Sequence, residues 1–216
     1  MNRKVCSRIM LTLLLMSALT MISGRVAAVV DDVAVTNVIT FKTVSNGTFT
    51  ATLTPFDVIY QNYSVSINAT VENQGTSAET FDVTAQYDSH AIGTPVSVTL
   101  DVGASKNVTF TWDTHDVARG SYTINVTAVL AGDATPGDNT KTYGPVKVTW
   151  LGDQDGSFTV DEDDFWLLCT YFITYYTPGK GYMDRSILHD FDENCKIDED
   201  DLFKFSEGWI NYYKSP

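Results

Sequence analysis

The sequence predicts two structural parts: an all-β sandwich followed by a small all-α unit carried on acidic loops. Three observations predict it. Between Val29 and Trp150 apolar residues recur at every second position, whereas from Leu151 onward they recur every three or four. The phrase GDQDGSFTVDEDDF, Gly152 to Phe165, holds six acidic side chains and returns as DFDENCKIDEDDL, Asp190 to Leu202, at an offset of 190 − 153 = 37. Crowded carboxylates repel one another and need either free hydration or a cation. A repeated arrangement favours the cation.

The chain has 216 residues and a formal net charge of −13, with 44% hydrophobic and 12% aromatic residues, which is too apolar for a disordered acidic tail. Its charge repels nucleic acid and anionic lipid. At the N-terminus Arg3, Lys4 and Arg8 precede the 14-residue apolar run IMLTLLLMSALTMI and the small-residue exit Val26 to Ala28. A bilayer span needs about 20 residues, so residues 1–28 read as a signal peptide cleaved after Ala28, with an uncleaved anchor as the alternative. The expectation is a secreted or surface-associated protein with no membrane span after cleavage.

The β region, residues 29–150, follows. In YSVSINATVEN, Val65, Ile67, Ala69 and Val71 share one face, and Ser66, Asn68 and Thr70 share the other. FDVTAQY, VSVTL, NVTFTW and YTINVTAVL repeat the alternation, and SNGT at Ser45 to Thr48 signals a hairpin turn. Short antiparallel strands with one apolar face each pack as two sheets. Sequons begin at Asn46, Asn62, Asn68, Asn107 and Asn125, all candidates for glycosylation in an exported chain, although Asn and Thr are also common on exposed sheet faces.

The segments SVSINATVENQGTSAETFDVTAQYD, TLDVGASKNVTFTWDT, GSYTINVTAVL and DNTKTYGPVKV, in that order, resemble the CARDB family of secreted, adhesion-related immunoglobulin-like domains across about 115 residues. The resemblance implies a spacer or recognition module without catalysis. Thr40 to Leu53 is an extra segment outside the familiar pattern.

In residues 151–216, Phe165, Leu168, Phe172 and Tyr176 line one helical face up to Pro178 and Gly179, and adding 37 gives Leu202, Phe205, Trp209 and Tyr213. TPGKGYMDRSILH between the copies holds a linker and a short middle helix. A 12-residue calcium loop supplies ligands at positions 1, 3, 5, 7, 9 and 12, with position 7 using its backbone carbonyl. From Asp153 these are Asp155, Ser157, Thr159, Asp161 and Asp164; from Asp190 they are Asp192, Asn194, Lys196, Asp198 and Asp201. The inward position 8 is Val160 in one loop and Ile197 in the other. Up to two Ca2+ ions are expected; magnesium tolerates fewer protein ligands, and zinc would want His or Cys.

These loop-and-helix copies resemble the dockerin domain, a tandem of half-EF-hands, over the last 65 or so residues. That implies docking on a cohesin-like partner, with Trp166, Tyr175, Phe203 and Tyr212 as exposed candidates beside the core stripe. Position 12 is Asp, in keeping with dockerins, while position 6, which needs a sharp turn suited to glycine, is Phe158 or Cys195. Strain there would weaken binding.

Cys169 and Cys195 invite a disulfide in an oxidising compartment. Antiparallel helices, however, leave Cys169 roughly 10 Å short of loop 2 along the axis, beyond the ~7 Å Cα limit, and a buried thiol competes. No catalytic constellation is present: His90, His115 and His189 form no metal motif, and Asp101, Asp113 and Asp116 fall in turns. A glycan-contacting face would use Tyr60, Tyr63, Tyr87 or Trp112, yet Trp112 lies on the inward phase of its strand. Three roles follow: a calcium-folded docking protein, a structural surface stalk, or a non-catalytic accessory of extracellular polysaccharide degradation.

Overall fold

The computed structural model describes residues 28–47, 50–175 and 187–215. The expected signal peptide up to residue 27, Tyr176, Pro178, Gly179 and most of the inter-repeat linker lie outside the described residues, as do the side chain of Tyr175 and Thr48 of the first sequon.

Among the described residues nine strands form two facing sheets: β1 (Val33–Ser45), β2 (Thr50–Leu53), β3 (Val58–Tyr60), β4 (Ser64–Asn73), β5 (Glu79–Tyr87), β6 (His90–Leu100), β7 (Ser105–Asp113), β8 (Gly120–Val129) and β9 (Thr140–Thr149). One sheet has the order β2-β1-β4-β7 and the other β3-β9-β8-β5-β6. In β4 the inward-facing Val65, Ile67, Ala69 and Val71 are all buried, as period two requires, and the same phase ends at the buried, hydrogen-bonded Asn73. The extra Thr40–Leu53 segment is the β1–β2 hairpin, in which Ser45 pairs with Thr50 around the SNGT turn. One pairing departs from an all-antiparallel expectation: β3 runs parallel to β9, with Ile59 opposite Val148. That pairing carries Tyr60 to the end of the sandwich, where the C-terminal segment packs.

Among the described residues two helices follow, α1 (Glu162–Tyr175) and α2 (Glu199–Lys214), with a 3-10 turn at Ile187–His189; the rest of the segment expected to hold a middle helix lies outside the described residues. The anticipated apolar stripe is only partly buried. Leu168 and Phe205 are enclosed, Phe172 and Trp209 are half-buried, but Phe165, Leu202 and Tyr213 are exposed, Tyr213 at 62%. The reason is that α2 turns toward the sandwich as well as toward α1: Tyr212 packs edge-on against Trp150 at 5.5 Å, which rotates Tyr213 outward. Tyr212 is therefore half-buried where an exposed ring was expected, whereas Trp166 and Phe203 are exposed as anticipated. Gly208 permits this approach, because a Cβ there would collide with the Leu151 carbonyl oxygen.

Both acidic loops also touch the sandwich. Lys147 on β9 donates to the Gly156 carbonyl at 2.6 Å, and Lys42 on β1 pairs with Glu193 at 2.8 Å. The Tyr60 hydroxyl donates to Leu188 O at 2.8 Å, and the Tyr63 hydroxyl donates to Phe191 O. Cys195 and Ile197 belong to the sandwich's own buried cluster, while Val160 packs with Tyr60, Leu168, Phe191 and Phe205 in a smaller one.

Candidate metal centre

The two loops repeat one hydrogen-bond ladder. At position 1, Asp153 accepts from Ser157 N at 3.0 Å and Phe158 N at 2.8 Å; Asp190 accepts from Asn194 N at 3.0 Å and Cys195 N at 2.9 Å. At position 3, Asp155 accepts from Ser157 N at 2.8 Å and Asp192 from Asn194 N at 3.1 Å. At position 12, Asp164 accepts from Gln154 N at 2.7 Å and Asp161 N at 3.1 Å; Asp201 accepts from Phe191 N at 2.7 Å and Asp198 N at 2.8 Å. Position 9 caps the following helix, through Asp163 N to Asp161 at 3.0 Å and Asp200 N to Asp198 at 3.1 Å. A short polar cap reached back to by the N3 carboxylate is the capping-box arrangement. Turn, ligand and helix start are thus one local device.

The ladder brings one oxygen each from Asp153, Asp155 and Asp164 within 4.8 Å of one another, and likewise from Asp190, Asp192 and Asp201. Of the remaining predicted ligands, Ser157 bonds Thr159 through their hydroxyls at 2.7 Å, and Thr159 donates to Asp161 at 2.9 Å. Asn194 donates to Asp192 at 2.7 Å, while its own Oδ1 is shielded from solvent and has no partner. Lys196 is exposed, so only its backbone carbonyl suits a ligand role. The position 6 residues take the left-handed conformation foreseen for them, φ 69° at Phe158 and 66° at Cys195. Val160 and Ile197 at position 8 are fully buried.

Enclosing carboxylates without a cation disfavours their charged form. Burial pushes Asp153 up to about 6, with Asp164 also raised. Loop 2 is displaced further: burial and then the Asp201 charge push Asp190 up to about 8, and burial pushes Asp201 to about 7. In each loop two desolvated carboxylates and a third that solvent reaches face one point, with an orphaned amide oxygen beside one set, and this fits a hard divalent cation.

A third acidic group escaped the sequence reading. Asp32, Asp133 and Asp138 also bring oxygens within 4.8 Å. Nothing in local spacing signals it, since Asp32 precedes β1 and the others lie in the β8–β9 connection; hydrogen bonds between the start of β1 and that connection assemble them, Val33 N to Asp133 at 2.9 Å and Val35 N to Asp138 O at 3.0 Å. Burial raises Asp32, and the Asp133 and Asp138 charges add to the rise.

The other candidate residues fall as follows. Cys169 and Cys195 are not joined in a disulfide. Asn46, Asn62 and Asn107 are exposed, and Asn68 and Asn125 half-buried; the Asn107 and Asn125 carboxamides accept cross-strand bonds from Thr70 at 2.9 Å and Thr142 at 2.8 Å. The proposed aromatic face does not assemble. Tyr60 and Trp112 are buried, Tyr63 is half-buried, and Tyr87 sits between the His90 and Trp112 rings at 5.1 and 4.8 Å. His189 is buried against Tyr171 at 4.0 Å, and burial lowers it to about 3, so it is neutral across the physiological range. Among the described residues no helix is long and apolar enough to cross a membrane.

Comparison with known proteins agrees with the sandwich. Two facing sheets in this arrangement define an immunoglobulin-like β fold. Residues 48–140 match the CARDB family model, which supports a CARDB domain in that part of the chain. Among solved structures, the chain is similar to the CARDB domain of a Pyrococcus furiosus protein crystallised in complex with di-metal ions, at 19% identity over 50% of this chain and 88% of that one, with a TM-score of 0.36. A solution structure of that CARDB domain is 20% identical over 55% of this chain and 94% of that one, with a TM-score of 0.40. A Listeria innocua beta-glucosidase in complex with glucose is 15% identical over 55% of this chain, but only 16% of its own length is matched, with a TM-score of 0.33. No curated protein matches the chain.

Proposed function

We propose that this is an exported, non-catalytic binding protein in which a CARDB-type spacer or adhesion domain, residues 29–150, carries a dockerin-like calcium module, residues 151–216. The observation that carries the reading is the duplicated convergence of Asp153, Asp155, Asp164 and of Asp190, Asp192, Asp201 on identical ladders. Calcium accepts many oxygens in flexible geometry, and ligands at six loop positions suit it. The ion would neutralise each triad and hold the start of the following helix. Trp166 and Phe203, 66% and 63% exposed, offer rings for a protein partner of the cohesin-like kind.

A second role, as a calcium-stiffened surface stalk, is favoured by the contacts that Lys42, Tyr60, Tyr63 and Lys147 make to the loops and their flanks. The polysaccharide-accessory role loses its main support, because the four candidate rings form no open platform. Calorimetric calcium titration of the full chain, with chelated protein as reference, tests the central reading. Two bound ions with a raised thermal midpoint support it; no heat of binding at millimolar calcium overturns it. Pull-down by cohesin-like domains then separates docking from stalk.

A further inference from the structure

Beside the helical module lies a pocket that the calcium reading does not use. Arg119 lays its guanidinium over the Trp150 ring, 3.3 Å from the centroid. Trp150 is braced from another side by the edge of Tyr212, and the close approach of Gly208 to Leu151 fixes α2 as a wall. Arg119, Trp150 and Gly208 line a cleft of about 190 Å³ together with Gln61, Asn62 and Asn211. Gln61 is held by its own bond to Val117 O at 2.7 Å.

The guanidinium is a cation without a counter-ion. Among the described residues it makes no hydrogen bond and no ion pair. Burial pulls Arg119 below its usual value, and no nearby carboxylate offsets this. In a chain with 27 acidic and 14 basic residues, an Arg left unpaired over an aromatic ring is preorganised for something external.

We infer that Arg119, stacked on Trp150, is the anchor of a pocket for a small carboxylate-bearing ligand about the size of a uronic acid. The planar fork matches a carboxylate in a bidentate pair. The neighbouring amides of Asn62 and Asn211 can both donate and accept, which suits hydroxyls on the same ligand. A doubly charged phosphate matches the fork as well, but it meets stronger repulsion from a chain of net charge −13. This site is independent of the metal loops and stands or falls separately from them.

The test uses the full chain saturated with calcium, titrated with glucuronate, acetate, glucose and inorganic phosphate, and followed by calorimetry and tryptophan fluorescence. Glucuronate should bind one-to-one and more weakly as salt rises, acetate should compete with it, and glucose should not bind. Arg119→Gln should weaken glucuronate by about tenfold or more, and Arg119→Lys should fall between, since it keeps the charge and loses the fork. Arg119 is exposed, so both variants should keep the parent thermal midpoint. Absence of glucuronate binding at millimolar concentration, binding unchanged in Arg119→Gln, or tighter binding of phosphate than of glucuronate would each overturn the inference.

Discussion

Loop 1 and loop 2 carry the same ladder in different surroundings. Asp153 and Asp190 each hold the two N–H groups at loop positions 5 and 6, yet burial raises Asp153 only to about 6, held back by a bond from the Thr149 hydroxyl, while burial and the Asp201 charge raise Asp190 to about 8. Loop 1 packs its Val160 into the small helical cluster, while loop 2 sends Cys195 and Ile197 into the sandwich core. A carboxylate's hydrogen bonds are set by neighbours in sequence; the cost of its charge is set by what folds over it. The second loop should therefore couple more tightly to the whole fold.

The largest effect expected is at Ile197. Ile197→Ala should destabilise the calcium-loaded protein by about 2–5 kcal/mol, more than Val160→Ala, because more buried methyl groups are lost from the principal core. Chemical denaturation of the two variants checks this; equal losses would remove the distinction between the loops. Next comes Asp190→Ala, which leaves the buried Cys195 N without its acceptor, leaves Asn194 N with Asp192 alone, and should cost about 3 kcal/mol. Its calcium stoichiometry should fall from two to one, read by calorimetry, with loop 1 still filled.

Chelated protein should also respond to pH in a defined sense. Asp190 and Asp201 have folded-state values raised to about 8 and about 7, above the ordinary carboxylate 3.8. The fold therefore binds protons more tightly than the unfolded chain, and their contribution is fully present below pH 4 and is lost as pH rises to 8. Metal-free thermal midpoints should fall from pH 5 to pH 8, and saturating calcium should remove that slope. A midpoint that climbs over this range without calcium would contradict the desolvation of Asp190 and Asp201.

Position 6 gives a smaller effect with opposite signs in the two loops. Phe158→Gly relieves a left-handed backbone at a half-buried site and should stabilise by about 1 kcal/mol. Cys195→Gly gives the same relief but empties a position that is 2% exposed, so its benefit should vanish or reverse. Smallest is the Lys42–Glu193 pair, where Glu193→Gln should cost less than about 1 kcal/mol, given the exposure of the glutamate.

Much of this molecule was legible in the sequence because the signals are local. Period two placed Val65, Ile67, Ala69 and Val71 inside, and Trp112 with them. The 37-residue offset identified both carboxylate triads and their position 8 residues, and the left-handed position 6 followed from the loop's turn. What stayed hidden depends on contacts distant in sequence. The outward rotation of Tyr213 needed Trp150, and the Asp32, Asp133, Asp138 group needed the start of β1 to meet the β8–β9 connection, where Val33 N bonds Asp133, 100 residues away. The Arg119–Trp150 stack likewise joins residues that no spacing rule connects.

By itself the sequence determined the alternating sheets, the two loop ladders and the helices that begin at their caps, because each arises from backbone geometry and side-chain chemistry within about a dozen residues. Only the tertiary structure decided which loop shares the sandwich core, which carboxylates are hardest to ionise, and which aromatic rings face solvent. Those properties depend on burial, and burial belongs to the packed whole.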